Sequence, residues 1–386
     1  MNRLNLVAPL INLAVFCFWL GLVGIGLECV LRISSKFYGH ESNNFAMCRA
    51  DDYLGWSNQP NSKLTFVRKM SGVHSLCEIN SKGLRDTDRS WIKPKDTLRI
   101  LLLGDSFVFG AEVSSRDVVS AVLERKISKI RKSEVINAGV RGYGTDQELL
   151  YLTKEGVKYS PDIVIYFFCH NDPVDNLTIY SPSVGFAKPF FDVTAEGELI
   201  LMGVPVPPPS ALSGSAALIN VDASQRSEIE NLRKSSNPAA KVYAANPIEL
   251  LIRNSKLFKF CQFILQRVPS LYGPKRQKSA VMKDIEEKEW AVTKKIISQM
   301  KIECEKRSIR FLIYEISNGT EKGRDAHMEP VFRASGTPFI LTREIFGQKS
   351  GGTKWLCFPY DGHWNKKGHR LAAEIINNFL LTHGWI

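Results

Sequence analysis

The sequence predicts an α/β fold, a three-layer α/β/α sandwich around a central parallel five-stranded sheet, and three observations carry that expectation. Leu98–Leu103 is apolar apart from Arg99, the pattern of a strand buried on both faces. Four further runs, Glu134–Ala138, Asp162–Phe168, Ile309–Glu315 and Thr337–Leu341, have strand length and strand composition. Segments of helical periodicity separate them, and alternating strands and helices imply parallel strands with helices on both faces.

Composition sets outer bounds. The 386 residues suffice for one large domain or two smaller ones. With 44% hydrophobic and 23% charged residues, the chain is that of a folded protein. A net charge of +12 suits anionic surfaces such as lipid headgroups or acidic polysaccharide. It does not suit nucleic acid, because no dense Lys/Arg run or nucleic-acid motif accompanies it. The eight cysteines show no Cys-x-x-Cys and no zinc spacing, so disulfides and buried free thiols are both open.

In chain order, Leu4–Leu27 is almost wholly apolar, and spanning a bilayer takes about 20 residues. No small-x-small cleavage site comes after it, so residues 1–36 are expected to be an uncleaved single-pass anchor. A single amino-terminal anchor implies an extracytoplasmic, periplasmic location for the remainder of the chain. Residues 37–97 are polar and turn-rich, with short strands expected at Leu64–Val67 and Ser75–Ile79. They form an irregular cover on the main domain. In it, Arg85 is expected as a surface ion pair, with substrate binding as the alternative. Residues 98–386 hold the main domain.

The first strand ends at Gly104, and a helix is expected from near Ser114 across Arg116–Arg131, with Val118, Val119, Val122, Leu123 and Ile127 as its apolar face. A glycine-rich turn, Gly139–Gly144, precedes a helix over Thr145–Gly156. Residues 175–280 interrupt the alternation with a proline-rich segment and an apolar helix around Ile248–Val268. They read as an insertion near the site, either a lid or a partner- or membrane-contacting surface. The helix Val281–Glu305 rejoins the sheet, and the last helix covers Lys366–Leu381.

Four segments could carry chemistry: Gly104-Asp105-Ser106, Asn137–Gly144, Cys169-His170-Asn171-Asp172, and Asp361-Gly362-His363-Trp364-Asn365. The first three stand just past strand ends, where open parallel sheets bind ligands. Taken alone, Asp105 and Ser106 could be turn residues or a helix cap, Asp172 a capping group and His170 a mere neighbour. His369 is a rival base, but its place inside the last helix favours packing. No Gly-x-Ser-x-Gly elbow, phosphate loop, dinucleotide fingerprint or His-Glu-x-x-His occurs, so neither a metal nor a cofactor is called for.

These four segments, in this order, resemble the SGNH, or GDSL-type, hydrolases, over roughly residues 98–172 and 308–382. The resemblance implies a flavodoxin-like sandwich with Ser106 as nucleophile, His363 as base and Asp361 as its orienter. It also implies an oxyanion hole made by the backbone N–H groups of Ser106 and Gly142 and the side-chain amide of Asn171. The Asp-x-His spacing, where most of the family has Asp-x-x-His, is similar to that of alginate O-acetyltransferase-type members. Cys169 stands where the family usually has glycine. The chemistry is coherent on its own terms. A serine hydroxyl needs a base within hydrogen-bond reach, histidine titrates near neutrality, and a carboxylate fixes the imidazole tautomer. Each oxyanion donor is worth ~3 kcal/mol of barrier.

The expected activity is ester hydrolysis through an acyl-enzyme, on O-acyl, chiefly O-acetyl, esters of cell-envelope carbohydrate. A carbohydrate O-acyltransferase, a lipid or lysophospholipid esterase, and a non-catalytic polysaccharide-binding or assembly protein are the alternatives. The partners expected are an ester-bearing polysaccharide or lipid and the membrane.

Overall fold

The computed structural model describes residues 19, 22–30, 47–68, 73–181, 184–194, 196–208, 280–317, 325–348, 355–358 and 362–386. The chain divides into two units, residues 1–40 with 231–279, and residues 41–230 with 280–386. In the first unit, residues 22–30 are helical. No helix among the described residues is long and apolar enough to cross a membrane. Most of the apolar segment expected to form the anchor lies outside the described residues, as does the helix expected around 248–268.

The second unit begins with two antiparallel hairpins, β1 (Cys48–Asp51) with β2 (Gly55–Asn58), and β3 (Lys63–Arg68) with β4 (Val73–Glu78). β3 and β4 are the strands expected in the cover. Then comes the sheet: β5 (Leu98–Gly104), β6 (Ser133–Gly139), β7 (Ile163–Phe168), β12 (Arg310–Glu315) and β13 (Phe339–Ile340). The strand order is β13-β12-β7-β5-β6 and all four pairings are parallel. β5 lies between β6 and β7, with Gly104 paired to Gly139. Every residue of β5 and β7 is buried, as two-sided coverage requires.

That coverage is helical. On one face α2 (Val119–Ile127) and α8 (Lys366–Thr382) pack together over Ile100, Leu102, Ile165 and Phe167. On the other, α3 (Thr145–Lys154) packs against α5 (Ala280–Glu305), which buries Ile296, Ile297 and Met300 completely. The architecture is the α/β sandwich with the parallel five-stranded sheet.

Three elements differ from expectation. The first helix does not wait for Ser114: a single turn, α1 (Ser106–Phe109), starts at the serine, because the Asp105 carboxylate accepts from the Phe107 N–H and caps it. The helix expected across 116–131 is a 3₁₀ turn at Ser115–Asp117 and then α2, split where Val118 is extended. β13 is only two residues long, and Pro338 beside it has no N–H to extend the ladder.

Of the insertion, 175–208 is described except for residues 182, 183 and 195. α4 (Asp172–Asp175) leads into two small hairpins, β8 (Tyr180–Ser181) with β9 (Phe186–Ala187), and β10 (Phe190–Val193) with β11 (Leu199–Met202). Phe186 stacks on Trp56 of β2, with ring centroids 6.2 Å apart. The helices α6 (Asp325–Ser335) and α7 (Arg343–Gln348) complete the domain. The described cysteines, Cys29, Cys48, Cys77, Cys169, Cys304 and Cys357, are all free thiols.

Candidate active site

Ser106 leaves the central strand at a crowded corner. A Cβ on Gly139 would collide with the Phe109 backbone nitrogen and stand 2.8 Å from the Val108 carbonyl carbon. β6 and α1 touch backbone to backbone there, so only glycine fits. Asn137 ties the same corner, its amide donating 2.9 Å to the Val108 carbonyl and its oxygen accepting from the Gly139 N–H.

His363 arrives from the far end of the chain. Its carbonyl accepts from the Phe358 N–H at 2.8 Å, and an antiparallel bridge pairs Cys357 with Trp364. Asn365 then caps α8, accepting from Lys367 and Gly368 N–H groups. Trp364 is fully buried and Phe107 packs between it and the imidazole, 4.9 Å from the His363 ring. The outcome is a contact across 257 positions: His363 Nε2 lies 2.7 Å from Ser106 Oγ. Asp361 lies outside the described residues. The carboxylate seen near the other ring nitrogen is that of Glu112, with Oε1 3.7 Å from His363 Nδ1. Sequence reasoning missed Glu112, because nothing in its local sequence marks it.

His369, the rival base, is buried beneath Trp364 in α8. Burial, then the charges of Arg85 and His363, push its pKa down to about 3, so it is neutral across the ordinary pH range.

Gly142 and Asn171 come after β6 and β7, the strands on either side of β5. Both therefore lie at the sheet edge that carries Ser106. Gly142 has φ +77°, and a Cβ there would meet Val184 at 2.9 Å. Its turn is pinned by Trp56, whose indole donates 3.0 Å to the Arg141 carbonyl, while the Tyr143 hydroxyl donates to the Trp56 carbonyl. The Asn171 amide donates to the Asp175 carboxylate. Asp172 is a structural tie: Oδ2 accepts from the Cys169 N–H at 3.0 Å and the Tyr166 hydroxyl at 2.8 Å. His170 lies beside Cys169, its Nδ1 3.8 Å from the sulfur.

Beneath this edge is a set of buried carboxylates. Burial pushes Asp105 up, opposed by the Phe107 N–H and by the His363 charge. Glu148 and Asp172 are held well above the usual carboxylate range, first by burial and then by neighbouring acids. Asp146 is raised by burial and pulled back by Lys188. Among the described residues no group of three or more His, Cys, Asp or Glu side chains could hold a metal ion.

Arg85 is neither a surface ion pair nor an exposed contact. It is 1% exposed, and its guanidinium donates to the carbonyls of Phe109, Gly110 and Val113. A buried guanidinium must spend its donors, and the irregular loop after α1 supplies acceptors that no ladder uses.

No family model and no curated protein matches the sequence. Solved structures do. A lipase/acylhydrolase from Enterococcus faecalis is 14% identical, with TM-score 0.37, covering 73% of this chain and 95% of its own. A psychrotrophic esterase, EstA, from Pseudoalteromonas sp. is 10% identical, with TM-score 0.35, covering 74% and 97%. The acetyl xylan esterase AlAXEase is 10% identical, with TM-score 0.37, covering 73% and 100%. The chain is similar to these lipases and esterases of known structure, at a level of likeness that leaves its chemistry to be read from its own residues.

Proposed function

We propose that the chain is a serine ester hydrolase of the SGNH type, acting through an acyl-enzyme on Ser106. The observation that carries this reading is the 2.7 Å approach of His363 Nε2 to Ser106 Oγ. A neutral imidazole at that distance takes the hydroxyl proton as Oγ attacks the ester carbonyl. The same Nε2 then gives the proton to the departing alkoxide, leaving the acyl group on Oγ. Water repeats the sequence and frees the acid. The Ser106 and Gly142 N–H groups and the Asn171 amide are the proposed oxyanion donors, and Asp361 is the proposed orienter. The first two stand at chain turns where no strand bond claims them. The third is steadied by Asp175.

The substrate class in this reading is O-acylated, chiefly O-acetylated, carbohydrate of the cell envelope. The net charge of +12 supports an anionic polymer or surface, and the apolar segment 4–27 supports tethering to a membrane with the site on its outer side.

The test is fluorophosphonate labelling together with hydrolysis of a short-chain p-nitrophenyl ester by the full-length chain. Wild type should label and turn over. Ser106→Ala should do neither, with a rate lower by roughly 10³-fold or more. Equal labelling of both proteins would remove Ser106 as the nucleophile.

A further inference from the structure

Glu112 is a buried acid with its carboxylate turned to the catalytic edge. Its side chain is 1% exposed, that of His363 19%, and the Oε1–Nδ1 separation is 3.7 Å. The imidazole therefore stands between Ser106 Oγ on one nitrogen and a carboxylate on the other. The loop that carries Glu112 is unusually well tied. Arg85 donates to the carbonyls of Phe109, Gly110 and Val113, and the Ser75 hydroxyl bonds the carbonyls of Ala111 at 2.7 Å and Val113 at 3.0 Å. Both clamping residues belong to the segment that precedes the sheet.

We propose that Glu112 is a positioning residue for His363, held against the ring by the amino-terminal cover. The inference rests on the esterase reading above for its catalytic meaning, but the pairing itself is independent of it. Glu112 acts through the imidazole: its negative charge favours the imidazolium that forms when Oγ loses its proton, and it limits rotation of the ring. Asp361 precedes His363 by two residues in sequence, whereas Glu112 comes from the nucleophile's own loop. The two carboxylates are separable by mutation.

Other charges face the pair. Asp105 lies on the β5 side and His369 in α8, and the Arg85 guanidinium interacts with Glu112. Asp117, Lys366, Lys367 and Arg370 line a cavity of about 470 Å³ that Glu112 borders, with Lys366 Nζ 3.1 Å from Asp117. Of these described groups, Glu112 is the carboxylate within 4 Å of the ring. An opposite charge this close moves a titration by about one to three units.

The experiment uses the full-length chain as wild type, Glu112→Gln, Glu112→Asp and Asp361→Asn. The His363 Cε1–H resonance, assigned with His363→Gln, is followed against pH by NMR, and the pH profile of kcat/KM is measured on p-nitrophenyl acetate. Glu112→Gln should move the His363 titration and the acid limb of kcat/KM down by about one unit or more. It should lower kcat by roughly ten- to a hundredfold with little change in KM. Glu112→Asp should restore part of both. A His363 titration unchanged in Glu112→Gln, with Asp361→Asn carrying the whole shift, overturns the inference. A shifted titration in a protein that neither labels nor hydrolyses would uphold the pairing and remove the esterase reading instead. Circular dichroism of each variant separates these outcomes from unfolding.

Discussion

Lys188 is the most consequential cation in the described core. Its ammonium lies 2.8 Å from each oxygen of Asp146, and the two side chains are 1% and 0% exposed. It also donates to the Asp175 carbonyl at 2.9 Å, and the Asp175 carboxylate holds the Asn171 amide. At an effective dielectric of about 20, charges 2.8 Å apart attract by about 6 kcal/mol, most of it offset by desolvating both ions. Removing one partner leaves the other buried and uncompensated, which costs about 3–5 kcal/mol. Lys188→Met should therefore lose about that much stability in urea denaturation monitored by tryptophan fluorescence, near pH 8. The deficit should shrink in acid. Without Lys188, Asp146 is pushed further up by burial, so the folded variant binds a proton that the unfolded chain releases. Stability then rises as pH falls, by at most ~1.4 kcal/mol per unit. Adding Asp146→Asn should return most of the loss at neutral pH. A single variant within about 1 kcal/mol of wild type, or a deficit constant between about pH 5 and pH 8, would refute the account.

A second buried acid and the crowded serine corner give two further expected outcomes. Glu148 is buried with no hydrogen-bond partner on either carboxylate oxygen and a strongly raised pKa, so it opposes folding increasingly as pH climbs above about 4.3. Glu148→Gln should be more stable than wild type near pH 8 and should flatten the stability–pH curve, and parallel curves would contradict this. Gly139→Ala must displace either β6 or the turn bearing Ser106, since the new methyl meets backbone atoms of Val108 and Phe109. It should cost about 1–3 kcal/mol and, if the serine moves by about 1 Å, roughly a hundredfold in esterase rate. Thermal unfolding and p-nitrophenyl ester kinetics would show both.

The sheet was legible in the sequence because β5, β6, β7 and β12 are buried on both faces and so read as unbroken apolar runs. β13 was over-extended for the complementary reason: an edge strand can stop after two residues without exposing core. The Ser106–His363 contact was expected from the resemblance, and the meeting of the two side chains depends on a bridge at Cys357 and Trp364 that no periodicity announces. Asp361 lies outside the described residues, so its expected partnership with the ring stays a proposal. Arg85 and Glu112 were illegible for one shared reason. Each sits in irregular chain, where burial is decided by distant segments rather than by local pattern. A lone arginine before Asp86 looks like a surface charge until the carbonyls of 109–113 close around it. Lys188 was hidden in the same way inside the insertion.

The 257 positions between Ser106 and His363 also bear on how the protein comes into being. Everything that shapes the alcohol's corner, from β5 to the Gly139 contact, belongs to the first half of the chain and can form early in synthesis. The imidazole is translated within the last tenth and reaches its place only when α8 docks on α2. A ribosome-bound or carboxyl-truncated intermediate would present a finished nucleophile corner with no proton acceptor, and would stay chemically silent toward esters. Turnover is then a readout of the last docking event, and of nothing earlier.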